Sequence, residues 1–478
     1  MENLTMIIDF YEFTMGQTYF DKGEINKVAY FDVFFRKNPF NGGYAISGGL
    51  DNIINFIQNF KLTKEDIEYL KSTNCFSDEY LKYLQNLRFN GDIYAVPDGT
   101  VIFPNEPIIT VKAPIIEAQL IETALLLYFN SNTLYTTASK RIVNAADGKK
   151  VMEFGARRAR GDISSLEAAK CAFISGCIGT SNTLAAMKYQ IPALGTMAHS
   201  LVCDSNNEYQ AFLNFAKSNP NNCMFLVDTY DTLRSGIPNA IKVANEYLKP
   251  NNLEFKGIRI DSGDLAYLSK EARKMLDEAG FPDAKICLSN GLDEKKIKNL
   301  IEEKACFDSI GVGDNIAAAN DIIGGVYKLC AIEENGIIIP KIKISDSKIK
   351  TTNPHYKKVY RFYDKDTGFA LGDVIVIYDE EIPEDTYTLI NPIDEFRQKA
   401  LKNYYVRELQ LPIFINGNLV YKVPSIYESQ KYCEKEFATM YPEIKRMNNP
   451  HIYYVDLSKR LLNLKQSLIE EAVRKRKR

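Results

Sequence analysis

The 478-residue sequence has no excess of either charge: 59 Lys and Arg stand against 61 Asp and Glu, a formal net charge of −2. Such balance excludes a uniform cationic coat for nucleic acid or anionic lipid, so any anion site has to be local. Nine cysteines contain no Cys-x-x-Cys pair, and only Cys171 and Cys177 lie close together. That spacing argues against a disulfide scaffold and for reduced thiols in a reducing cytosol. No uninterrupted apolar stretch reaches membrane-spanning length, and Met1 to Phe10 carries Glu2 and Asp9 where a leader would be basic. A soluble cytoplasmic protein, with neither nucleic acid nor membrane as partner, is expected. Missing too are a Gly-x-x-x-x-Gly-Lys-Ser/Thr loop and a Gly-x-Gly-x-x-Gly after a strand, so neither the P-loop nor the Rossmann route to a nucleotide is open. Histidine is scarce: His199, His355 and His451 are all there are, with no second His or Cys cluster to build a zinc site.

What is present is ordinary globular material, 45% hydrophobic and 25% charged, in a chain long enough for two or three domains. Ile53 to Phe60 and Asp66 to Leu84 read as helical, Asp92 to Val111 as short strands broken by prolines, and Pro114 to Phe129 as the start of a long apolar helix. A boundary is expected near Thr136. Beyond it, short apolar strands alternate with amphipathic helices, the pattern of parallel β/α units. The strands are Val151 to Phe154, Ala193 to Gly195, Met224 to Val227, Gly257 to Ile260, Lys285 to Leu288 and Ser309 to Val312. Strands return from Lys341 to Tyr378, and helices close the chain from Ser425 to Tyr441 and Leu457 to Arg478. Val374 to Tyr378, followed by Asp379, Glu380 and Thr386, loosely imitates an acidic diphosphoribose loop but lacks its small residues, and reads as a strand and exposed turn.

Polar residues fall where each strand ends. Arg157 follows the first, Thr196 and His199 the second, Asp228 the third, Asp261 and Asp264 the fourth, Asn290 the fifth, and Gly311 to Asn315 the sixth. In a (β/α) barrel such ends open onto one mouth, so these residues would converge. The competing expectation is a set of helix N-caps, for which Asp, Ser and Asn after a strand are ordinary choices. Two stretches go beyond capping. Glu153 to Gly161 sets Arg157, Arg158 and Arg160 and the aromatic Phe154 beside glycines, suited to bidentate capture of phosphate or carboxylate, although a basic turn pairing with surface acids has the same composition. Arg259-Ile260-Asp261-Ser262-Gly263-Asp264 places a cation for an anion next to carboxylates for ribose hydroxyls or a magnesium ion. Together they describe a site for a phosphorylated sugar.

Asp9-Phe10-Tyr11, Glu153 to Gly161, Gly179-Thr180-Ser181-Asn182, Gly195 to Ser200, Gly257 to Leu265, Gly324 to Leu329 and Asn449-Pro450 to Ser458 span almost the whole chain. In these segments and their order the sequence resembles the nicotinate phosphoribosyltransferase family. The resemblance implies an α/β fold: an irregular (β/α) barrel over residues 136–339, an α/β N-terminal domain over 1–135 joined by strands from 340–410, and a helical C-terminal segment over 411–478. It implies a homodimer with shared active sites, and conversion of nicotinate and phosphoribosyl diphosphate to nicotinate mononucleotide and diphosphate, coupled to ATP hydrolysis. Catalytic roles then fall to His199, Asp228, Arg259 and Asp261, with His199 as the phosphorylated histidine and Asp228 either orienting it or, with Asp261, binding Mg2+. Substrate contacts fall to Asp9, Tyr11, Phe154, Arg157, Ser181, Thr196, Ser262, Asn290, Gly311 and Gly313, with Phe154 and the Tyr11 of a neighbouring subunit around the pyridine ring. Ser181 stands where nicotinamide-using relatives place an Asp, unless it merely caps the next helix. Asp314 stands where many relatives place a Thr beside the 5-phosphate. Rival readings are a nicotinamide or quinolinate phosphoribosyltransferase, or a silent sugar-phosphate binding protein on the same fold.

Overall fold

A computed structural model of the chain describes residues 4–345, 351–391 and 396–476. Parts of two expected elements lie outside them, residues 346–350 of the strand-rich stretch and Lys477 and Arg478 of the basic end. The chain forms two compact units, one from residues up to Leu134 and from Asp321 onward, the other Tyr135–Asn320. The division falls within the helix Glu122–Ala145.

The first unit is built on a seven-stranded sheet in the order Ile337–Pro340, Val326–Glu334, Val28–Phe34, Ile109–Pro114, Asp92–Ala95, Leu411–Ile415, Asn418–Leu419. Val28–Phe34 is antiparallel to both neighbours and buried along its middle, as an apolar run in a covered sheet should be. The helix Leu50–Gln58 buries Leu50, Ile53, Ile54, Phe56 and Ile57 on one face. The single helix expected over Asp66 to Leu84 is two, Lys64–Ser72 and Asp78–Asn86. Asn74 at φ 54° turns the chain out, and Ser77 restarts it as an N-cap accepting from the Tyr80 N–H. A six-stranded sheet from Lys357 onward holds a buried ion pair, Arg361 to Asp373 at 2.7 Å, with Tyr453 donating to the same carboxylate at 2.8 Å. Loss of one partner would strand a charge in the core at a cost of about 3–5 kcal/mol. The segment after residue 411 is not purely helical: Leu411–Ile415 pairs with Asp92–Ala95, and Val455–Leu457 precedes the last helix. Val374 to Tyr378 ends a largely buried strand, Ala370–Ile377, with Tyr378 partly exposed.

The second unit carries a five-stranded parallel sheet in the order Lys150–Glu153, Ser309–Val312, Lys285–Leu288, Gly257–Ile260, Met224–Leu226. From Glu153 it continues by single parallel bridges to Thr180 and then Ala193. The expected Ala193 to Gly195 strand is reduced to that bridge because Pro192, lacking an N–H, can offer only its carbonyl, to the Thr180 N–H at 3.0 Å. Neighbours in this arc follow chain order except where the first strand, Lys150–Glu153, lies beside the last, Ser309–Val312, so the order is cyclic. Among the described residues no backbone ladder joins Ala193 to Met224–Leu226, and Asn222 Nδ2 donates across that gap to the Gly195 carbonyl at 3.0 Å. The core includes Phe212, Phe225, Ile258, Ile260, Ile286, Leu288 and Ile310, all buried. Six cysteines are buried, Cys306 is half-buried, and Cys75 and Cys203 are exposed; all nine are free thiols. Among the described residues no helix is long and apolar enough to cross a membrane.

Candidate active site

Alternation along Gly257–Ile260 turns Ile258 and Ile260 into the core and leaves Arg259 on the other face. Its guanidinium donates from Nε to Ser289 Oγ at 2.9 Å, from Nη2 to Asp261 Oδ1 at 2.8 Å, and from Nη1 to Thr196 Oγ1 at 3.5 Å. Ser289 also donates to Asp261 Oδ1. The guanidinium carbon lies 5.5 Å from the centroid of the Phe154 ring, within cation–π range. Asp228 joins the cluster through Oδ2, which accepts from the Asp261 N–H at 2.9 Å and the Ser262 hydroxyl at 2.5 Å. Its Oδ1 is buried without a partner among the described residues. His199 Nδ1 lies 3.1 Å from Thr229 Oγ1, and no hydrogen bond links it to Asp228. Among the described residues the imidazole's hydrogen-bond partner is thus Thr229, with Asp228 bonded instead to Asp261 and Ser262.

Glycines set the spacing on the opposite side of the cluster. A Cβ at Gly311 would collide with the Phe154 ring, and one at Gly155 would meet the Gly313 carbonyl at 2.6 Å. Glu153, buried, accepts from the Gly155 N–H and the Thr180 hydroxyl, while its carbonyl accepts from the Ser181 N–H at 2.9 Å. Burial pushes its carboxyl above the usual range, and the two hydrogen bonds pull it back. One glutamate thus ties the strand end bearing Phe154 to the loop bearing Ser181.

Capping accounts for some of the strand-end residues and not for others. Asp264 is the N-cap of Leu265–Glu278, accepting from the Tyr267 N–H at 3.0 Å. Asn182 caps Thr183–Tyr189 through the Ala185 N–H at 3.2 Å, so the exposed Ser181 is not the cap. Asp228 and Asp261 cap nothing. Gly313 precedes the short helix Asp314–Ala317, and the exposed Asp314 makes no capping bond. Arg157 and its neighbours Arg158 and Arg160 are exposed, and none pairs with an acid among the described residues. Asn290, exposed at φ 117°, stays out of the cluster, where the preceding Ser289 is the participant. Ser289 and Thr229 went unread in the sequence although each sits directly beside a chosen residue. His451 is exposed, whereas His355 is half-buried and stacks on Tyr378.

Asp9 and Tyr11 belong to the other compact unit. Asp9 precedes the helix Phe10–Asp21, and the Thr123 hydroxyl lies 2.9 Å from its carboxylate and 2.8 Å from that of Glu12. Burial, reinforced by Glu122 and Asp9, pushes Glu12 up to about 8. Tyr11 is 48% exposed, and its phenol is pushed up to about 12 by desolvation and then by Glu122, Glu12 and Asp9.

The crystal structure of human nicotinic acid phosphoribosyltransferase superimposes with a TM-score of 0.83 at 27% identity, covering 96% of this chain and 99% of that one. Nicotinate-nucleotide pyrophosphorylase from Pyrococcus furiosus shares the fold, with a TM-score of 0.69. The chain is thus a mixed α/β protein of the phosphoribosyltransferase kind. Family models for the nicotinate phosphoribosyltransferase N-terminal domain, the family itself and its C-terminal domain match residues 6–130, 149–364 and 356–465. Nicotinate phosphoribosyltransferase of Bacillus subtilis is 43% identical, covering 98% of this chain and 96% of its own, and a Mycobacterium tuberculosis relative of that name is 36% identical over 96% and 92%. The chain belongs to the nicotinate phosphoribosyltransferase family, and its activity is phosphoribosyl transfer to nicotinate.

Proposed function

We propose that the Arg259, Asp261, Ser289 and Asp228 cluster is the phosphoribosyl diphosphate site of an ATP-coupled enzyme with His199 as its phosphorylated residue. The observation that carries this is the convergence at the C-terminal ends of adjacent parallel strands of a guanidinium and two carboxylates that serve no helix. Loss of diphosphate from the ribose carbon develops positive charge on the sugar and negative charge on the leaving group, so catalysis rests on positioning and charge stabilisation. Arg259, held on three sides, is preorganised for the diphosphate, and Asp261 and Ser262 are in reach of ribose hydroxyls. The glycine backbone at Gly311 and Gly313 suits the 5-phosphate, and Arg157, Thr196 and Asn290 line the same end of the sheet.

Among the described residues no three His, Cys, Asp or Glu side chains form a metal cage. Magnesium is usually held by one or two carboxylates with substrate phosphates completing its shell, and the unpartnered Oδ1 of Asp228 fits that arrangement. Asp228 and Asp261 would hold it, and when bound it neutralises diphosphate charge. Thr229 accepting the Nδ1 proton of His199 leaves Nε2 with the lone pair, the form that can attack the γ-phosphorus of ATP and release ADP; water later frees the phosphate.

The cyclic chain order of the strands supports reading residues 135–320 as an irregular barrel with its seam between Ala193 and Met224. Half-exposed Tyr11 supports a homodimer in which it and Phe154 enclose the pyridine ring of a shared site, near Asp9 and Ser181. Free thiols throughout support a cytoplasmic setting. The test follows labelled nicotinate with phosphoribosyl diphosphate, magnesium and ATP. His199→Ala should abolish nicotinate-dependent ATP hydrolysis while leaving slow ATP-independent transfer; undiminished acid-labile phosphate on the variant would remove His199 from the role.

A further inference from the structure

The first compact unit contains a cavity of about 340 Å³ that shares no residue with the cluster described above. Two lysines line it. Lys357, 2% exposed, pairs with buried Asp32 at 2.8 Å. Asp32 is already engaged by three donors: Oδ1 accepts from the Thr110 hydroxyl at 2.8 Å, and Oδ2 takes Lys357 and the Cys330 thiol, the latter at 3.2 Å. The second cation, Lys465 on the helix Lys459–Arg476, donates to Asn353 Oδ1 at 2.8 Å and to the Thr351 carbonyl at 3.5 Å. Both acceptors are neutral, and an ammonium has three protons to place. Burial, with Lys357 nearby, brings the Lys465 ammonium down to about 8. Thr352, also 2% exposed, accepts from the Lys343 N–H at 3.0 Å, and its own hydroxyl proton has no acceptor among the described residues. Phe34, Ile375, Leu457 and Ile469 give the wall an apolar part, and Asn105 and Ser345 also line it.

Among the described residues, two ammonium groups therefore line this cavity with one carboxylate, which is paired to Lys357, and a partly desolvated ammonium without an anion is costly. We propose that this cavity is a second ligand site, separate from the transferase site, for a small anion whose carboxylate or phosphate oxygens are gripped by Lys465 and Thr352 and whose body packs on the apolar wall. Its volume, at the low end of small-molecule pockets, suits a single ring or a short chain.

The full chain carrying Arg259→Ala, so that the transferase site does not take the probes, is labelled with 13C,15N-lysine and titrated separately with benzoate and with inorganic phosphate. A saturable displacement of the Lys465 signal, with its titration midpoint raised by about one unit, is expected in at least one arm. The responding arm identifies a carboxylate or a phosphate ligand. Lys465→Gln should abolish binding, and Lys465→Arg, which deletes the signal while keeping the charge, assigns it should the glutamine variant not fold. Binding that leaves the Lys465 signal in place, or no response to either probe up to about 20 mM, overturns the proposal.

Discussion

Single side chains in this molecule are set by what their neighbours leave them to do. Ser181 is exposed and caps nothing, because Asn182 already supplies the cap. Substituting it should therefore cost little stability while changing the charge that nicotinate meets. With Ser181 in the proposed nicotinate site, Ser181→Asp would set a carboxylate against the carboxylate of the substrate, a repulsion of about 1–3 kcal/mol in a partly desolvated pocket. We expect kcat/KM for nicotinate to fall by about 10-fold or more, with the unfolding midpoint within a few degrees of wild type. Steady-state kinetics within about 3-fold of wild type would mean that Ser181 does not select for the acid. Glu12 gives a pH signature instead. Its carboxyl ionises near 8 in the fold against an ordinary 4.5. Between those values the folded chain keeps a proton that the unfolded chain has lost, so this residue makes stability fall as pH rises from 4.5 to 8 and level off beyond. Glu12→Gln should flatten that decline, gaining about 1–3 kcal/mol on wild type between pH 5 and pH 8. Urea unfolding at the two pH values reads it; parallel losses in both proteins would show Glu12 ionised throughout.

At the scale of strands and helices, the turn after Gly257–Ile260 separates two roles that look identical in sequence. Asp264 caps Leu265–Glu278, whereas Asp261, three residues earlier, bonds to Arg259 and Ser289. Asp264→Ala should lower stability by about 1 kcal/mol and leave kcat nearly intact. Asp261→Ala should lower kcat/KM by 100-fold or more, a reversed ordering that thermal denaturation and initial rates on the same samples would detect. Sequence could locate these elements but not assign the roles. Gly257–Ile260, Lys285–Leu288 and Ser309–Val312 were readable to the residue because short apolar runs end in polar or glycine positions. Ser77 and Asn74 could have revealed the break between the early helices, but the apolar spacing ran on through them. Asn290 was chosen over Ser289 because neither period nor composition says which of two adjacent polar residues turns toward Arg259. Thr229 was hidden for the same reason, since its bond to His199 joins residues thirty positions apart.

For the molecule as a whole, the split of candidate residues between two compact units makes a clear prediction. Tyr11 lies in the first unit and Arg259 in the second. If a homodimer shares its sites, mixing Tyr11→Ala chains with Arg259→Ala chains leaves one site with both residues intact in each mixed dimer. Activity of the mixture after subunit exchange should then exceed that of either parent, approaching a quarter of wild type at equal ratios; a rate equal to the parents' average would place both residues in one subunit's site. The two units also differ in when they can be completed during synthesis. All five strands of the parallel sheet lie between Lys150 and Val312, whereas Val28–Phe34 must wait for Val326–Glu334, and Asp92–Ala95 for Leu411–Ile415. Val326–Glu334 ends 14 residues after Asn320 and Leu411–Ile415 ends 95 residues after it, about 1–3 s and about 5–20 s of translation at ~5–20 residues per second. For those intervals the ribosome carries a parallel sheet whose strands are all made beside a three-stranded sheet in which Val28–Phe34 and Asp92–Ala95, both paired to Ile109–Pro114, each keep one open edge. The open edges of Val28–Phe34 and Asp92–Ala95, not the catalytic unit, are where a nascent chain of this enzyme is exposed to aggregation and to chaperones.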